Sequence, residues 1–249
     1  SWSRRRCGPM ITLRRDDERH LEQYRKQEVR LTFDPQERAN TDESGFGVLE
    51  NLSEHRLPPG GVSVAQPPQQ AEVVTYVHRG ALAQKDSAGP VGVVRAGEFQ
   101  RATVGRGIPH QETNASRTDW AHFFRISLQP SEVEPYRARE QMRFAPSDRH
   151  NVLCIVASPD GRQGSLRIRQ DALVCSSVLD PGHHLVHELL PGRCAWLHVI
   201  SGEANSQDII LSRGDGLGVT SERSMSLTAQ DHTEILLVDV GVPRPRRAA

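Results

Sequence analysis

Two glycine-framed segments carry the residues best suited to chemistry. The first reads Gly60-x5-Gln66-x-Pro68-x3-Glu72-x7-Gly80, and the second Gly97-x7-Gly105-x-Gly107-x2-His110-x3-Asn114. His110 and Glu112 stand two positions apart, so on a strand their side chains share a face. An imidazole there can exchange a proton while the carboxylate orients it. Gln66 and Pro68 also share a face, but Gln66 offers only an amide and Pro68 offers no donor atom. Gln66, Gln69 and Gln70 would supply amide contacts at the mouth of a pocket. A small ligand would then bind between apolar walls and these polar groups.

The elements that must position these residues read as strands. From Gly45 onward, short β-branched runs alternate with Gly, Pro, Asn and Asp, as in Val73-Val74-Thr75-Tyr76-Val77, Val91-Gly92-Val93-Val94 and Phe123-Phe124-Arg125-Ile126. That is the texture of an all-β barrel or sandwich. A second block follows, with Gly164–Ile168, Val174–Val178, Trp196–Ile200, Ile209–Leu211 and Ile235–Asp239. The blocks echo one another. Tyr76-Val77-His78-Arg79-Gly80 precedes Gly97-Glu98, and Leu197-His198-Val199-Ile200-Ser201-Gly202 precedes Gly214-Asp215. Glycines at matching turns suit an internal repeat, hence two barrels in tandem. The expected division is an extension over 1–9, an amino-terminal barrel over 10–130, a connection over 131–151, a carboxy-terminal barrel over 152–241 and a tail over 242–249. Residues 13–30 are charged and helix-permissive but lack a clean apolar stripe.

Composition narrows the function classes. The 31 basic and 31 acidic residues cancel, so no global charge draws the chain to nucleic acid or to an acidic membrane. No apolar run reaches the roughly 18–20 residues that span a bilayer. Cys7, Cys154, Cys175 and Cys194 form no Cys-x-x-Cys and no disulfide framework, which points to a reduced, cytoplasmic protein. Cys194 lies beside Arg193, which could favour the thiolate, but burial would leave it inert. His183 and His187 would share a strand face, with His198 on a later strand. They read as ordinary strand-end histidines rather than a second metal site.

Longer motifs carry a specific resemblance. Glu72-Val-Val-Thr-Tyr-Val-His-Arg-Gly-Ala-Leu82, Asp86-Ser87-Ala-Gly89, Gly97-Glu-Phe-Gln100 and Gly105-Arg-Gly-Ile-Pro-His-Gln-Glu-Thr-Asn114 resemble the pirin family. Phe33-Asp34-Pro35 and Gly45-Phe46-Gly47-Val48-Leu49 fit it too. Downstream, Ala157–Gly161, Gly164-Ser165-Leu166 and Gly214-Asp215-Gly216 resemble the second half of bacterial pirin-like proteins, so the likeness runs over roughly residues 10–241. It implies a monomeric bicupin, all β, with a metal centre in its amino-terminal barrel. Family members are described as iron-binding. Some have quercetin 2,3-dioxygenase activity, and some regulate protein partners.

The family's ligand set is a His-Pro-His pair plus a later His-x-Glu. His110 and Glu112 match the later pair, and the first pair falls on Gln66 and Pro68. Imidazole and carboxylate suit Fe(II) or another divalent transition metal, and two protein ligands are too few to hold one. Glu72 falls where many cupins place a ligand and is a candidate third. The positions corresponding to Gln66 and Pro68 in the second half are Glu188 and Leu190. The expectation is therefore a small-molecule-binding or regulatory bicupin with a degraded metal site and no cofactor. Gln66, Glu72, His110 and Glu112 would be its ligand-binding residues, and a protein partner remains open. The alternatives are a metal-dependent quercetinase-like dioxygenase and a cofactor-free isomerase or cyclase using His110 and Glu112.

Overall fold

The computed structural model describes residues 11–33, 45–63, 71–86, 89–104, 111–129 and 139–241. Gln66, Pro68, Gln69, Gln70 and His110 lie outside them. The first half supplies β1 (Ile11–Arg14), β2 (His20–Tyr24), β3 (Gln27–Leu31), β4 (Leu49–Leu57), β5 (Val62–Ser63), β6 (Ala71–Arg79), β7 (Ala81–Asp86), β8 (Gly89–Arg95), β9 (Glu98–Val104), β10 (Gln111–Asn114), β11 (Ala121–Leu128) and β12 (Arg139–Arg143). The second supplies β13 (Cys154–Ser158), β14 (Leu166–Arg167), β15 (Ala172–Leu179), β16 (His184–Glu188), β17 (Arg193–Ser201), β18 (Glu203–Ser206), β19 (Ile209–Ser212), β20 (Gly216–Thr220), β21 (Ser224–Ala229) and β22 (Thr233–Gly241). Among the described residues, no helix is long and apolar enough to cross a membrane.

Sheet order makes the internal repeat explicit. One seven-stranded sheet runs β12-β9-β6-β11-β4-β3-β2 and the other β1-β20-β17-β22-β15-β13-β14. The central strands correspond in order: β9 with β20, β6 with β17, β11 with β22, and β4 with β15. The two four-stranded sheets, β5-β10-β7-β8 and β16-β21-β18-β19, correspond likewise. Each large sheet and its small partner form one barrel. The turn glycines foreseen at matching positions have positive φ, 78° at Gly80 and 80° at Gly202. Each opens the hairpin from the central strand into the small sheet.

Three local features differ from the sequence expectation. Within residues 13–30, a hairpin of β2 and β3 turns at Arg25-Lys26. Its register joins β3 to β4, burying Gln27 and Val29 on one face, so tertiary pairing rather than an apolar stripe decides the structure. The opening strand β1 leaves the first barrel and pairs with β20 of the second. The segment read as a connection contains β12, which extends the first barrel's sheet beside β9.

The large sheets face each other across a shared apolar core. Leu52, Val74, Tyr76, Phe124 and Ile126 meet Val156, Val174, Trp196, Leu236 and Val238 there. Trp196 is fully buried, with edge contacts to Phe33 at 4.8 Å and Phe46 at 5.3 Å. Its indole fits because β20 carries Gly216 and Gly218. A Cβ at Gly216 would stand 2.5 Å from the indole. A buried guanidinium ties the halves together. Arg149 donates to Glu234 and Ser176, each at 2.8 Å, and to the Tyr76 hydroxyl at 3.2 Å.

Candidate functional site

Period-two alternation sends the other side chains of the same strands into the barrels. The second barrel is filled by apolar groups, among them Leu197, Val199, Leu217, Met225, Leu227, Ile235 and Leu237. The first has a small apolar floor of Leu57, Val77, Leu82, Val94, Ala121 and Phe123. Above it the interior is polar. Ser53 and His55 enter from β4, Thr75 from β6, Gln84 from β7, Gln100 from β9, Glu112 and Asn114 from β10, and Arg125 from β11. This contrast places the candidate site in the first barrel.

Glu112, Arg125, Gln84 and Gln100 form one connected network, with Arg139 and Gln141 at its edge. The Arg125 guanidinium pairs with the Glu112 carboxylate. Glu112 also accepts from the Gln84 amide at 3.1 Å. Gln84 and Gln100 exchange amide hydrogen bonds of 2.6 and 2.9 Å. Arg139 reaches Gln84 at 3.3 Å, and Gln141 meets Gln100 at 3.4 Å. Arg125 lies 5.2 Å from the Phe123 ring centroid, a cation–π contact. Burial draws its guanidinium pKa down to about 10. His55 stacks flat on Phe123 at 4.7 Å and shares a 2.8 Å hydrogen bond with Ser53. Burial, then the nearby Arg125 charge, holds the His55 imidazole well below its ordinary value. The result is a neutral histidine beside a charged pair.

The candidate residues separate in this geometry. Glu112 is buried inside the barrel. Glu72 is on the opposite face of β6, with Val74 and Tyr76. Its carboxylate accepts the backbone N–H groups of Arg169 at 2.9 and 3.0 Å and of Gln170 at 3.1 Å. It therefore joins the two halves and does not face Glu112, because an even position on β6 cannot point into a barrel lined by odd ones. Among the described residues, no three His, Cys, Asp or Glu side chains converge as metal ligands. Arg125 was missed in the sequence. The available signal was an arginine in phase with Phe123 on a strand whose other face is Phe124, Ile126 and Leu128.

The second-half histidines do not converge. His187 bonds Asp239 at 2.7 Å and His184 bonds Thr228 at 2.8 Å. His198 points to the inter-barrel core, 5.7 Å from Phe124. Both its ring nitrogens are buried without a partner among the described residues. Burial, aided by the Arg19 charge, draws its pKa down to about 3. Cys154, Cys175 and Cys194 are unpaired thiols. Burial pushes Cys194 up to about 11, and the carboxylate of Asp239 adds to this more than Arg193 offsets it. Arg193 is itself engaged by Asp239 and Asp171, each at 2.6 Å.

Paired small and large sheets, mainly antiparallel and repeated in tandem with one polar interior, define a bicupin. Comparison with known proteins agrees. The family described as Pirin matches residues 17–127, and the one described as Quercetinase C-terminal cupin domain matches residues 155–240. A relative named quercetin 2,3-dioxygenase from Escherichia coli K12 is 33% identical over 196 residues, covering 79% of this chain and 84% of the relative. A pirin-like protein from Caulobacter vibrioides is 27% identical, covering 78% and 84%. Bacterial pirin YhhW from Escherichia coli, solved in complex with nickel(II), superposes with a TM-score of 0.82 at 29% identity over 94% of this chain and 100% of that one. The chain belongs to the pirin family of the cupin superfamily.

Proposed function

We propose that this chain is a small-molecule-binding, regulatory pirin whose first barrel works without a resident metal. The observation that carries this is the Arg125–Glu112 pair. Glu112 is the carboxylate that a cation would need, and a buried guanidinium already neutralises it. The rest of the donor set points the same way. Gln66 brings a weak amide oxygen, Pro68 brings none, and Glu72 is turned to backbone amides across the barrel interface. His110 is the one remaining imidazole of the motif. A divalent transition metal held tightly by protein needs about three such ligands, so these residues do not fit it. The same pairing weighs against acid–base catalysis by His110 and Glu112, because the Arg125 charge already neutralises the carboxylate that would stabilise a protonated histidine.

What remains is a polar interior built from amides, one ion pair and a neutral histidine, which suits a hydrogen-bonding small molecule. Free thiols, those of Cys175 and Cys194 buried, suit a reduced cytoplasmic location. The second reading is a metal-dependent dioxygenase, and the relative named quercetin 2,3-dioxygenase favours it. Flavonol consumption in air separates the two. With Fe(II), Mn(II) or Ni(II) added, the protein should consume a flavonol no faster than the free metal does. Turnover above that background that disappears in His110→Ala would overturn the metal-free reading.

A further inference from the structure

A cavity lies outside both barrels, at one end of the seam between the large sheets. Its volume is about 560 Å³, and its walls include Arg56, His78, Arg79, Trp120, His122 and Arg213. Cavities of roughly 300–1,000 Å³ are the size that holds small ligands. Both halves contribute, since β4, β6 and β11 supply one wall and the turn before β20 supplies the other.

The base of the cavity holds two anchored imidazoles. His78 and His122 meet edge to face with ring centroids 5.1 Å apart. His122 Nε2 bonds Glu54 at 2.7 Å, and His78 Nδ1 lies 3.2 Å from Glu234. Each carboxylate sits behind its ring and fixes which nitrogen is engaged. The second nitrogen of each ring has no other hydrogen-bond partner among the described residues. It is left to accept from, or donate to, a ligand hydroxyl.

The rim is cationic. Arg56, Arg79 and Arg213 line it, and Glu28, paired in register with Arg56, is the one carboxylate among the lining residues. Glu54 lies just behind and is largely committed. It binds Arg19 at 2.8 Å as well as His122, leaving Arg213 at 3.6 Å and Arg56 at 3.9 Å as long, loose contacts. Arg79 has no ion-pair partner among the described residues. Trp120 stands in the wall with 49% of its surface exposed. An exposed indole beside guanidinium groups offers a flat stacking surface next to a carboxylate-binding fork.

The geometry points to a ligand site in this inter-barrel cavity for a hydroxylated aromatic carboxylate. Its ring stacks on Trp120, its carboxylate is held by Arg213 with Arg79 or Arg56, and its hydroxyl reaches the free nitrogens of His78 and His122. Two imidazoles alone are too few ligands for a metal here, and three guanidinium groups repel a cation. This site is independent of the first-barrel interior.

The test is calorimetric titration of the full chain with 4-hydroxybenzoate in excess EDTA. Saturable one-to-one binding with a Kd below about 1 mM is expected. Arg213→Ala and Trp120→Ala, both at exposed positions, should each weaken it about tenfold or more, the loss expected for a charge-assisted hydrogen bond or a stacking contact. Phenol, without the carboxylate, and cyclohexanecarboxylate, without the ring, should each bind at least tenfold more weakly. His110→Ala should leave the affinity unchanged. No saturable binding, or binding insensitive to Arg213→Ala and Trp120→Ala, would overturn the proposal. Loss in His110→Ala alone would move the ligand to the barrel and overturn it as well.

Discussion

Glu112→Gln and Arg125→Met should each destabilise the protein by about 3–5 kcal/mol, and the double variant should recover most of that loss. Each single change strands a charge. Arg125 has 14% of its side chain exposed and Glu112 has 7%, so water cannot rescue the orphan. In Glu112→Gln the guanidinium keeps its contact with Phe123 but loses its counter-charge. In Arg125→Met the carboxylate keeps its Gln84 amide but loses the buried positive charge. Removing both charges leaves methionine and glutamine of similar volume, and such replacements of a buried pair are often neutral. For a chain of this size the single variants should melt roughly 10 °C lower. Thermal and denaturant unfolding of the four proteins gives the coupling energy directly. Additive losses would mean that the two groups do not act as a pair.

Acid should destabilise the fold from an unusually high pH, and His198 should carry a measurable share. Its folded pKa is drawn to about 3, while an unfolded histidine titrates near 6.5. Between those values the unfolded chain binds a proton that the folded chain refuses. Stability is therefore full above pH 6.5 and falls as pH drops toward 3. At pH 5 the loss from this one residue is about 2 kcal/mol, from roughly 1.4 kcal/mol per pH unit. His55, held low by burial and by Arg125, works in the same direction. The buried carboxylates add a later phase. Burial alone would raise Glu234, but hydrogen bonds from His78 and Tyr76 and the Arg149 charge hold it at about 2. Its contribution is present above the unfolded carboxylate range and is lost as pH falls from about 4.5 toward 2. His198→Leu should thus lose about 2 kcal/mol less than the parent between pH 7.5 and pH 5, measured by urea unfolding. An unchanged pH slope would contradict a neutral, buried His198.

The barrels were legible because turn chemistry and alternation are local. Gly80 and Gly202 mark hairpins that any strand reading finds, and the repeat follows from their spacing. The β2–β3 hairpin was not legible, because its charged sequence becomes a strand only by pairing with β4. Glu72 shows why spacing alone misleads: one residue of register decides whether a carboxylate enters the barrel or binds backbone amides across the interface. Arg125 shows the converse. The gaps at Gln66 and Pro68 were visible, but the sequence does not say what neutralises Glu112, because β10 and β11 meet only in the folded barrel. His78 and His122 stayed hidden for the same reason, since their carboxylate partners come from β4 and β22.

Equilibrium binding of Ni(II) to protein purified without chelators or affinity metals tests whether the first barrel holds a metal. Weak, substoichiometric binding that His110→Ala barely alters is expected, with a large gain in affinity when Gln66→His and Pro68→His are combined with Arg125→Gln. Tight one-to-one binding by the parent protein, abolished in His110→Ala, would contradict a first barrel that works without a resident metal.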